Sequence, residues 1–230
     1  MIILAIECSA KAASAAVLRV GKCLAECYAA SGRTHSETLL PLVRSAVDAA
    51  GLRFDDIGLY AVTAGPGSFT GVRIGIAAVK GMALPHNTPC AGVSSLEANA
   101  YNLLGHDCLV LPAMDARCGQ IYTALFRLSG DRVERLTPDS AIAIDDLGAL
   151  LGEYKDEEII CVGDGAELAA GYAENLIPAQ EHLRLPRAFG AGLCAYRGGG
   201  YVDAKSLLPV YLRVPQAERM LAAKQPAAQA

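Results

Sequence analysis

The sequence predicts an α/β fold with mixed sheets in two units, and three observations support this prediction. Short apolar runs such as Ile2–Ile6 have the length and composition of buried strands. Segments with apolar residues at helical spacing, such as the one after Thr34, alternate with these runs. A polar break at Gly105-His106-Asp107 separates a first set of elements from a second. Alternating strands and helices are typical of α/β domains.

The first unit, residues 1–107, is predicted to run βββαβαβα. Gly21-Lys22 forms a hairpin-type turn between the second and third strands, so part of the sheet is antiparallel. The later strands cross over through helices, which makes the sheet mixed. The predicted strands are Ile2–Ile6, Ser14–Val20, Cys23–Ala29, Gly58–Ala64 and Cys90–Val93.

The helices of the first unit are predicted from their start and stop signals. Thr34 with Glu37 resembles a capping box for the helix Glu37–Ala50, which stops at Gly51. Pro41 within this helix predicts a kink or a late start. The other two helices are predicted from a cap at Ser68 or Thr70 to about Leu84, where Pro85 follows, and from a cap at Ser94 or Ser95 to Leu104.

The second unit is predicted to span residues 108–206, and residues 207–230 form a C-terminal segment with a frayed tail. Its first two strands are joined by a hairpin at residues 115–119. The predicted strands are Leu109–Met114, Ile121–Leu128, Glu158–Val162 and, as a last strand, Leu208–Leu212. The predicted helices are Asp145–Leu151, Ala166–Glu174 and Ala188–Ala195, and the frayed tail covers Ala217–Ala230.

Composition and charge exclude several classes of protein. Hydrophobic residues make up 53% of the 230, which excludes disorder over most of the chain. The net charge is -4 and no Lys/Arg cluster occurs, so the chain is not expected to hold nucleic acid by itself. Glu7 interrupts the apolar start and no basic residues precede it, and the uncharged stretches are too short for a membrane span. We expect a cytoplasmic protein with reduced cysteines.

The glycine-dense stretch at residues 65–75, GPGSFTGVRIG, resembles a phosphate loop but fits neither standard template. Gly65 and Gly71 are one position too far apart for a P-loop, and Val72-Arg73 stands where Lys-Ser/Thr is required. Thr70 occupies the place of the third glycine of a dinucleotide loop. A strand-to-helix turn is the plain alternative. It leaves Gly71 and Gly75 to be explained, because glycine within a helix costs about 1 kcal/mol.

Six motifs occur in an order that resembles one protein family: ILAIECS (3–9), HSETLLP (35–41), GPGSFTGVRIG (65–75), GVSSLEA (92–98), MDAR (114–117) and PVYLR (209–213). The chain is similar over nearly its whole length to the bacterial TsaB family of tRNA threonylcarbamoyladenosine biosynthesis proteins. The resemblance implies an actin-like, Hsp70-like ATPase-type (ribonuclease H-like) fold of two lobes.

The family resemblance also implies a function. TsaB-like proteins pair with a catalytic paralogue, TsaD, and an ATPase, TsaE, which together transfer a threonylcarbamoyl group from threonylcarbamoyl-AMP to the adenosine 3′ of the anticodon, in tRNAs that read codons beginning with A. Metal and ATP are expected on those partners and no cofactor on this chain. Transfer RNA is expected to bind only through the complex, and the chain alone is expected to form a homodimer.

One segment distinguishes this chain from the catalytic paralogue. That subunit is expected to carry His-Met-Glu-Gly-His on the helix after the corresponding strand, where two His at i and i+4 can hold a metal. Ser95 and Asn99 occupy those positions here. The four histidines, His35, His86, His106 and His182, are not paired at ligand spacing either. We therefore predict a non-catalytic subunit; a metal-dependent glycoprotease-type peptidase and a nucleotide-dependent small-molecule kinase of the same fold remain as alternatives.

The predicted partner interface is the common face of the helices Glu37–Ala50 and Val72–Leu84. Gly71 and Gly75 share one helical face, on which small residues would let a partner helix approach closely. Gly75→Arg is accordingly predicted to leave the monomer folded and to abolish pairing. Arg73 lies in the first helical turn, where the helix dipole disfavours a cation, so we expect a compensating carboxylate, either within the chain or on the partner. The candidate interface residues are Ser36, Leu39, Leu40, Val43, Val47, Gly71, Val72, Arg73, Gly75, Ala78 and Met82.

A cleft between the lobes is the second candidate site. Relatives with this fold place an Asp after the first strand to help hold nucleotide-bound metal, and Glu7 stands there in this chain. Gly163-Asp164-Gly165 precedes a helix and could cradle a phosphate, or it could be an ordinary strand-to-helix turn. Asp115 and Arg117 are expected to pair and fix their hairpin. The candidate nucleotide-binding residues are Glu7, Ser9, Asp115, Gly163 and Gly165.

Overall fold

A computed structural model describes residues 1–213 and contains two mixed β-sheets. The first sheet has the strand order β3-β2-β1-β4-β5, in which β1, β2 and β3 are antiparallel and β1, β4 and β5 are parallel. The predicted order βββαβαβα is confirmed. The elements are β1 (Ile2–Glu7), β2 (Ala13–Arg19), β3 (Lys22–Ala29), α1 (His35–Ala49), β4 (Leu59–Gly65), α2 (Phe69–Ala83), β5 (Cys90–Ser94) and α3 (Ser95–Ala100).

Helix starts in this half follow the predicted signals in part. Ser68 caps α2, because its side chain accepts a hydrogen bond from Gly71 N–H, and Ser94 caps α3 in the same way. Thr34 precedes α1 as predicted, but its side chain makes no cap bond and its hydroxyl pairs with Ser36 instead. The prediction of a capping box at Thr34 is therefore wrong. The alternative of a late start is also wrong, because α1 begins at His35 with Pro41 inside it.

The second sheet is built around β6, with the order β10-β7-β6-β11-β12 and with β8 and β9 beside the first half of β6. Its central strands β6, β11 and β12 are parallel, and the remaining pairs are antiparallel. The elements are β6 (Cys108–Arg117), β7 (Gln120–Thr123), β8 (Phe126–Ser129), β9 (Arg132–Arg135), β10 (Ser140–Ala143), α4 (Leu147–Leu150), β11 (Ile159–Val162), α5 (Ala166–Ala170), β12 (Leu176–Pro178), α6 (Glu181–Arg184) and α7 (Ala188–Gly198).

Several predictions for the second half are wrong in detail. The predicted strand Ile121–Leu128 is two strands, β7 and β8. Their pairing with β6 is interrupted opposite Pro112, which has no N–H. At the same place Leu125 N–H donates to Thr137 Oγ1 and not to β6. Residues 208–212 are not a strand; their backbone bond to the first sheet runs from Val210 N–H to Ala64 O. Strands β9, β10 and β12 and helix α6 were not predicted. The predicted tail Ala217–Ala230 lies outside the described residues.

Helix α7 packs on the first sheet although it follows the second sheet in the chain. Its buried residues share one core cluster with residues of β1, β2 and β4, among them Ile3, Leu18 and Ala61. Gly192 faces Leu18 at a distance that leaves no space for a side chain. The predicted boundary of the second lobe at residue 206 does not coincide with this packing, because residues 188–198 belong to the core of the first lobe. No helix among residues 1–213 has the length and apolar character that a membrane crossing requires.

Candidate functional site

Gly65 and Gly67 allow two close approaches of backbone to backbone. Gly65 has φ +123°, and a side chain there would overlap Val210 O of the C-terminal segment. Gly67 has φ +156°, and an added Cβ would lie 2.5 Å from Ser9 O. Ser68 N–H donates to the same Ser9 carbonyl at 2.7 Å. The loop is therefore a turn packed between the β1–β2 connection at Ser9 and the C-terminal segment at Val210.

Gly71 and Gly75 face Cys8, directly after strand β1, and not a partner. A Cβ on Gly71 would overlap Cys8 O, and a Cβ on Gly75 would lie 2.8 Å from Cys8 Sγ and 3.1 Å from Val62. The Cys8 thiol donates to Gly71 O at 3.1 Å. The prediction that these glycines form a docking stripe is wrong, since the close neighbour is the protein's own sheet. Gly75→Arg would consequently disrupt the core.

Most of the other predicted interface residues also lie in the first core. Leu39, Val43 and Val47 of α1 and Val72 of α2 are buried there, so these positions are not available to a partner. Ala78 and Met82 are half-buried against the same cluster. Ser36, Leu40 and Arg73 are exposed as predicted.

Apart from Leu40, the exposed face of α1 and α2 consists of residues that we did not predict. On α2, Thr70, Ile74, Ala77 and Gly81 recur at helical spacing, with Ile74 half-buried, the others exposed, and nothing within 4 Å of the place of a Gly81 side chain. On the adjacent α1, Leu40 and Pro41 are exposed. We call these six residues the two-helix face. Its small-residue spacing on α2 is visible in the sequence but is offset by one position from the stripe we predicted.

Arg73 is compensated by aromatic rings instead of a carboxylate. Its guanidinium lies 3.8 Å from the centroid of the Phe69 ring, and its Nε donates to Tyr211 Oη at 2.7 Å. Phe69 and Tyr211 stack with ring centroids 5.0 Å apart. A cation over an aromatic face is attracted by the ring quadrupole. Among residues 1–213, Arg73 forms no ion pair. The prediction of a carboxylate partner within this part of the chain is therefore wrong.

A cleft of about 320 Å³ lies between the two sheets. Its walls carry cations from both halves of the chain, Lys11, Arg117 and Arg213, and the two carboxylates Asp115 and Asp164. Asp115 pairs with Arg117 at 3.1 Å and accepts from Arg117 N–H, so the predicted hairpin ion pair is present. The remaining lining residues are Ser9, Ala10, Gly67, Ser68, Phe69, Met114, Ala116, Cys118, Tyr122 and Tyr211.

Two of the five predicted nucleotide residues, Ser9 and Asp115, line the cleft, and Glu7 lies behind it. Glu7 is fully buried, and its Oε1 accepts from Ser9 N–H at 2.6 Å and from Ser9 Oγ at 2.7 Å. Its Oε2 and the nearby buried Thr63 hydroxyl make no hydrogen bond. Burial raises the pKa of Glu7. Through these two hydrogen bonds, the Glu7 carboxylate fixes the backbone and side chain of Ser9 after β1.

Gly163 and Gly165 are not free to cradle a phosphate. Gly163 N–H donates to Arg184 O at 2.6 Å, and Gly165 N–H donates to Ala113 O at 3.0 Å. A phosphate-binding turn requires such amides to point at the ligand. The segment is therefore an ordinary strand-to-helix turn, which was the alternative to a phosphate cradle in the sequence analysis. Burial raises the pKa of the intervening Asp164, whose Oδ1 accepts from Asp115 N–H at 3.2 Å.

The two α3 positions where the catalytic relatives are expected to have His are buried. Ser95 and Asn99 have no exposed surface, and the Ser95 hydroxyl has no hydrogen-bond partner. The Asn99 amide lies within 3.1 Å of the Asn102 amide, of Arg184 O and of Gly163 N. Asn99 therefore links α3 of the first half to Gly163 and Arg184 of the second half. Within residues 1–213, no three His, Cys, Asp or Glu side chains are grouped so that they could hold a metal ion.

His35 begins α1 and is bound by the loop after β1. Its Nε2 lies 2.9 Å from Ala10 O, and its Nδ1 is buried without a partner. The ring also lies beside Gly71. His35 thus joins the first turn of α1 to the loop after β1.

Comparison with known proteins agrees with the motifs. A family model described as TsaD, tRNA N6-adenosine threonylcarbamoyltransferase, matches residues 28–171. The tRNA threonylcarbamoyladenosine biosynthesis protein TsaB of Bacillus subtilis (strain 168) is 32% identical over 95% of this chain and 96% of its own length. TsaB of Escherichia coli (strain K12) is 31% identical over 98% of this chain and 100% of its own length. The structure of YeaZ from Pseudomonas aeruginosa superposes with a TM-score of 0.77 at 30% identity, covering 92% of this chain and 99% of that one.

Full-length similarity to two TsaB proteins, the TsaD family match and the two-sheet architecture lead to one assignment. The chain belongs to the TsaB family of tRNA threonylcarbamoyladenosine biosynthesis proteins, within the broader family that the TsaD model describes.

Proposed function

We propose that this protein is a non-catalytic subunit of a cytoplasmic complex that transfers a threonylcarbamoyl group to tRNA. In this complex it binds a TsaD-type catalytic paralogue and supports the transfer without contributing reacting groups. The observation that carries the proposal is the environment of Ser95 and Asn99. Both replace the expected metal-binding His pair, both are buried, and Asn99 is already engaged by Asn102, Arg184 and Gly163.

The cleft supports the same conclusion. The amides of Gly163 and Gly165 are used within the chain, and Glu7 is buried with one oxygen bound to Ser9. A nucleotide in this cleft would lack the two glycine amides that we predicted as its phosphate donors. We therefore assign ATP and metal to the partner subunits, namely to the TsaE-type ATPase and the TsaD-type paralogue.

The two-helix face is the surface that we propose for docking. It presents Leu40, Pro41, Ile74 and small residues on two adjacent helices, and Leu40 is 56% exposed. Small residues let two helices approach closely, and an exposed apolar patch of this kind is typical of an interaction site. We propose that the same face pairs two copies of this chain when the paralogue is absent, and that tRNA contacts the complex chiefly through the other subunits, since this chain carries net charge -4.

Reconstitution tests this function. Purified TsaD-type and TsaE-type proteins, tRNA, ATP and threonylcarbamoyl-AMP are incubated with and without this chain, and modified adenosine is quantified by mass spectrometry. We expect modification only when the chain is present, and no modification by the chain alone. Equal modification without the chain would contradict the proposal. Metal-dependent proteolysis or tight ATP binding by the purified chain would favour the peptidase or the kinase instead.

Ala77→Arg tests the docking face. Ala77 is exposed on α2, so a long charged side chain there leaves the core intact but places a charge in the proposed contact. We expect this variant to elute as a folded monomer and to lose the heterodimer on size-exclusion chromatography. Leu168→Arg, at an exposed helical position of α5, is the matched control and should pair normally. Normal pairing by Ala77→Arg would show that the face lies elsewhere.

A further inference from the structure

The last described residues cross from one lobe to the other, and we call residues 207–213 the C-terminal strap. Leu207 is buried in the core of the first lobe and lies against the backbone of Gly92. Three residues later, Val210 N–H donates to Ala64 O at 2.7 Å, and Val210 O lies where a Gly65 side chain would be. The strap is thus anchored on the end of β4.

The middle of the strap is held by α2. Tyr211 stacks on Phe69 and accepts a 2.7 Å hydrogen bond from Arg73 Nε. Arg73 is itself stacked on Phe69, so the three side chains form one contiguous group. Tyr211 is 40% exposed, which leaves one side of this group open to solvent.

The end of the strap binds the other lobe. Arg213 Nη1 donates to Ala116 O and also to Arg117 O at 3.1 Å, where β6 turns into β7. Arg117 and Cys118 at this turn have φ of +65° and +55°, a conformation that non-glycine residues rarely adopt. A guanidinium can bind two carbonyls at once because its donors have a fixed planar arrangement.

We propose that the C-terminal strap is an intramolecular clasp that holds the β6–β7 hairpin of the second lobe against the first lobe across the cleft. Arg213 is the residue that closes it, and the Phe69–Arg73–Tyr211 group is its anchor. Tyr211 and Arg213 also line the cleft, so any molecule that enters the cleft from this side meets the clasp. Because Arg73 belongs to α2, the clasp connects this helix to the second lobe through Tyr211 and Arg213.

Hydrogen exchange of the isolated, full-length protein tests the clasp. In Arg213→Ala the amides of residues 115–120 should exchange about tenfold faster, since two hydrogen bonds from a charged donor are lost. Exchange in β1 should be unchanged. Leu208→Ala is the matched control, because Leu208 belongs to the strap but is 66% exposed, and it should leave the hairpin as in the unmodified protein.

Tyr211→Ala provides a second route to the same result. It removes the anchor while Arg213 is kept, and it should also accelerate exchange in residues 115–120. If either variant accelerates exchange in β1 as much as in the hairpin, the strap stabilises the whole protein and is not a clasp. If exchange in the hairpin is unchanged in both variants, Arg213 and Tyr211 do not hold the lobes together. Either result would overturn the proposal.

Discussion

At Gly71 and Gly75 even one methyl group would meet Cys8, the residue that follows strand β1. We expect Gly71→Ala and Gly75→Ala to lower the free energy of unfolding by about 1–3 kcal/mol, since the added carbon overpacks a close contact. Gly71→Ala should cost more, because its obstacle is the Cys8 backbone, whereas Gly75 meets the Cys8 thiol. Urea unfolding of the purified variants measures both values.

Gly81 of the same helix is the control for this pair. Nothing lies within 4 Å of the place of its side chain, so Gly81→Ala should raise the free energy of unfolding by about 0.5–1 kcal/mol through helix propensity. Loss of stability at Gly81, or a gain at Gly75, would contradict the packing described for α2.

Glu7 makes stability depend on pH. Burial raises its pKa above the ordinary value of 4.5, so the folded protein binds this proton more tightly than the unfolded chain. The contribution of Glu7 to the free energy of unfolding is therefore largest below pH 4.5 and falls as the pH rises from there to the folded-state pKa. A glutamine side chain at this position would keep an oxygen for Ser9 but could not ionise. We expect Glu7→Gln to abolish this fall in unfolding measured at several pH values.

Glu37→Gln is the matched control for the pH series, since Glu37 is exposed on α1. The same unfolding series on Glu37→Gln measures the effect of removing an exposed carboxylate, with which the Glu7→Gln series is compared. A constant difference between Glu7→Gln and the unmodified protein at every pH would show that Glu7 has an ordinary pKa.

Among the elements, α7 depends on a cap that comes from a distant strand. Glu26 of β3 accepts from Phe189 N–H at 3.0 Å and pairs with Arg187 at 3.1 Å, and Ser14 Oγ accepts from Ala188 N–H. Negative charge and hydrogen-bond acceptors stabilise the start of a helix. Thermal or urea unfolding should show that Glu26→Ala lowers stability by about 1–3 kcal/mol.

Glu134→Ala is the comparison for Glu26. Glu134 lies 3.9 Å from Arg132 in an exposed pair, and such pairs contribute about 0–1 kcal/mol. The two substitutions remove the same side chain, so their difference isolates the cap. Equal losses would mean that the cap of α7 adds nothing beyond a surface ion pair.

The elements that sequence reasoning found are those with a strong internal pattern. Apolar runs identified β1, β2 and β4, and caps at Ser68 and Ser94 identified α2 and α3. Strand β9 has the sequence RVER and β12 includes Pro178, so neither has the composition of a strand. These strands are recognisable only through their pairing with β8 and β11.

Helix α2 has two faces that are rich in small residues, and the sequence does not distinguish them. On α2 the stripe Gly71, Gly75, Ala78 and Met82 and the stripe Thr70, Ile74, Ala77 and Gly81 are both rich in small residues. Periodicity alone does not say which of the two meets the sheet. The contact of Gly75 with Cys8 decides it, and Cys8 is 67 positions away in the chain.

For the whole molecule, the break near residue 107 was predicted, but the return of the chain to the first lobe was not. Helix α7 covers one face of the first sheet, Cys90 forms a bridge with Val202, and the C-terminal strap follows. These contacts join residues that are far apart in the sequence, and a single chain carries no local signal for such pairings. The existence of a cleft between the lobes was predicted, but Gly163 and Gly165, two of its predicted residues, do not line it.

The return of α7 has a consequence for the synthesis of this protein on the ribosome. When residue 107 has been added, this face of the first sheet, with Ile3 and Leu18, is covered only in part, by Ala98 and Tyr101. The covering helix is complete only after residue 198, which at bacterial rates takes roughly 5–20 s longer. During that interval the part of the face that α7 covers stays exposed on the nascent chain, so the first lobe reaches its final packing only after the second sheet has been synthesised.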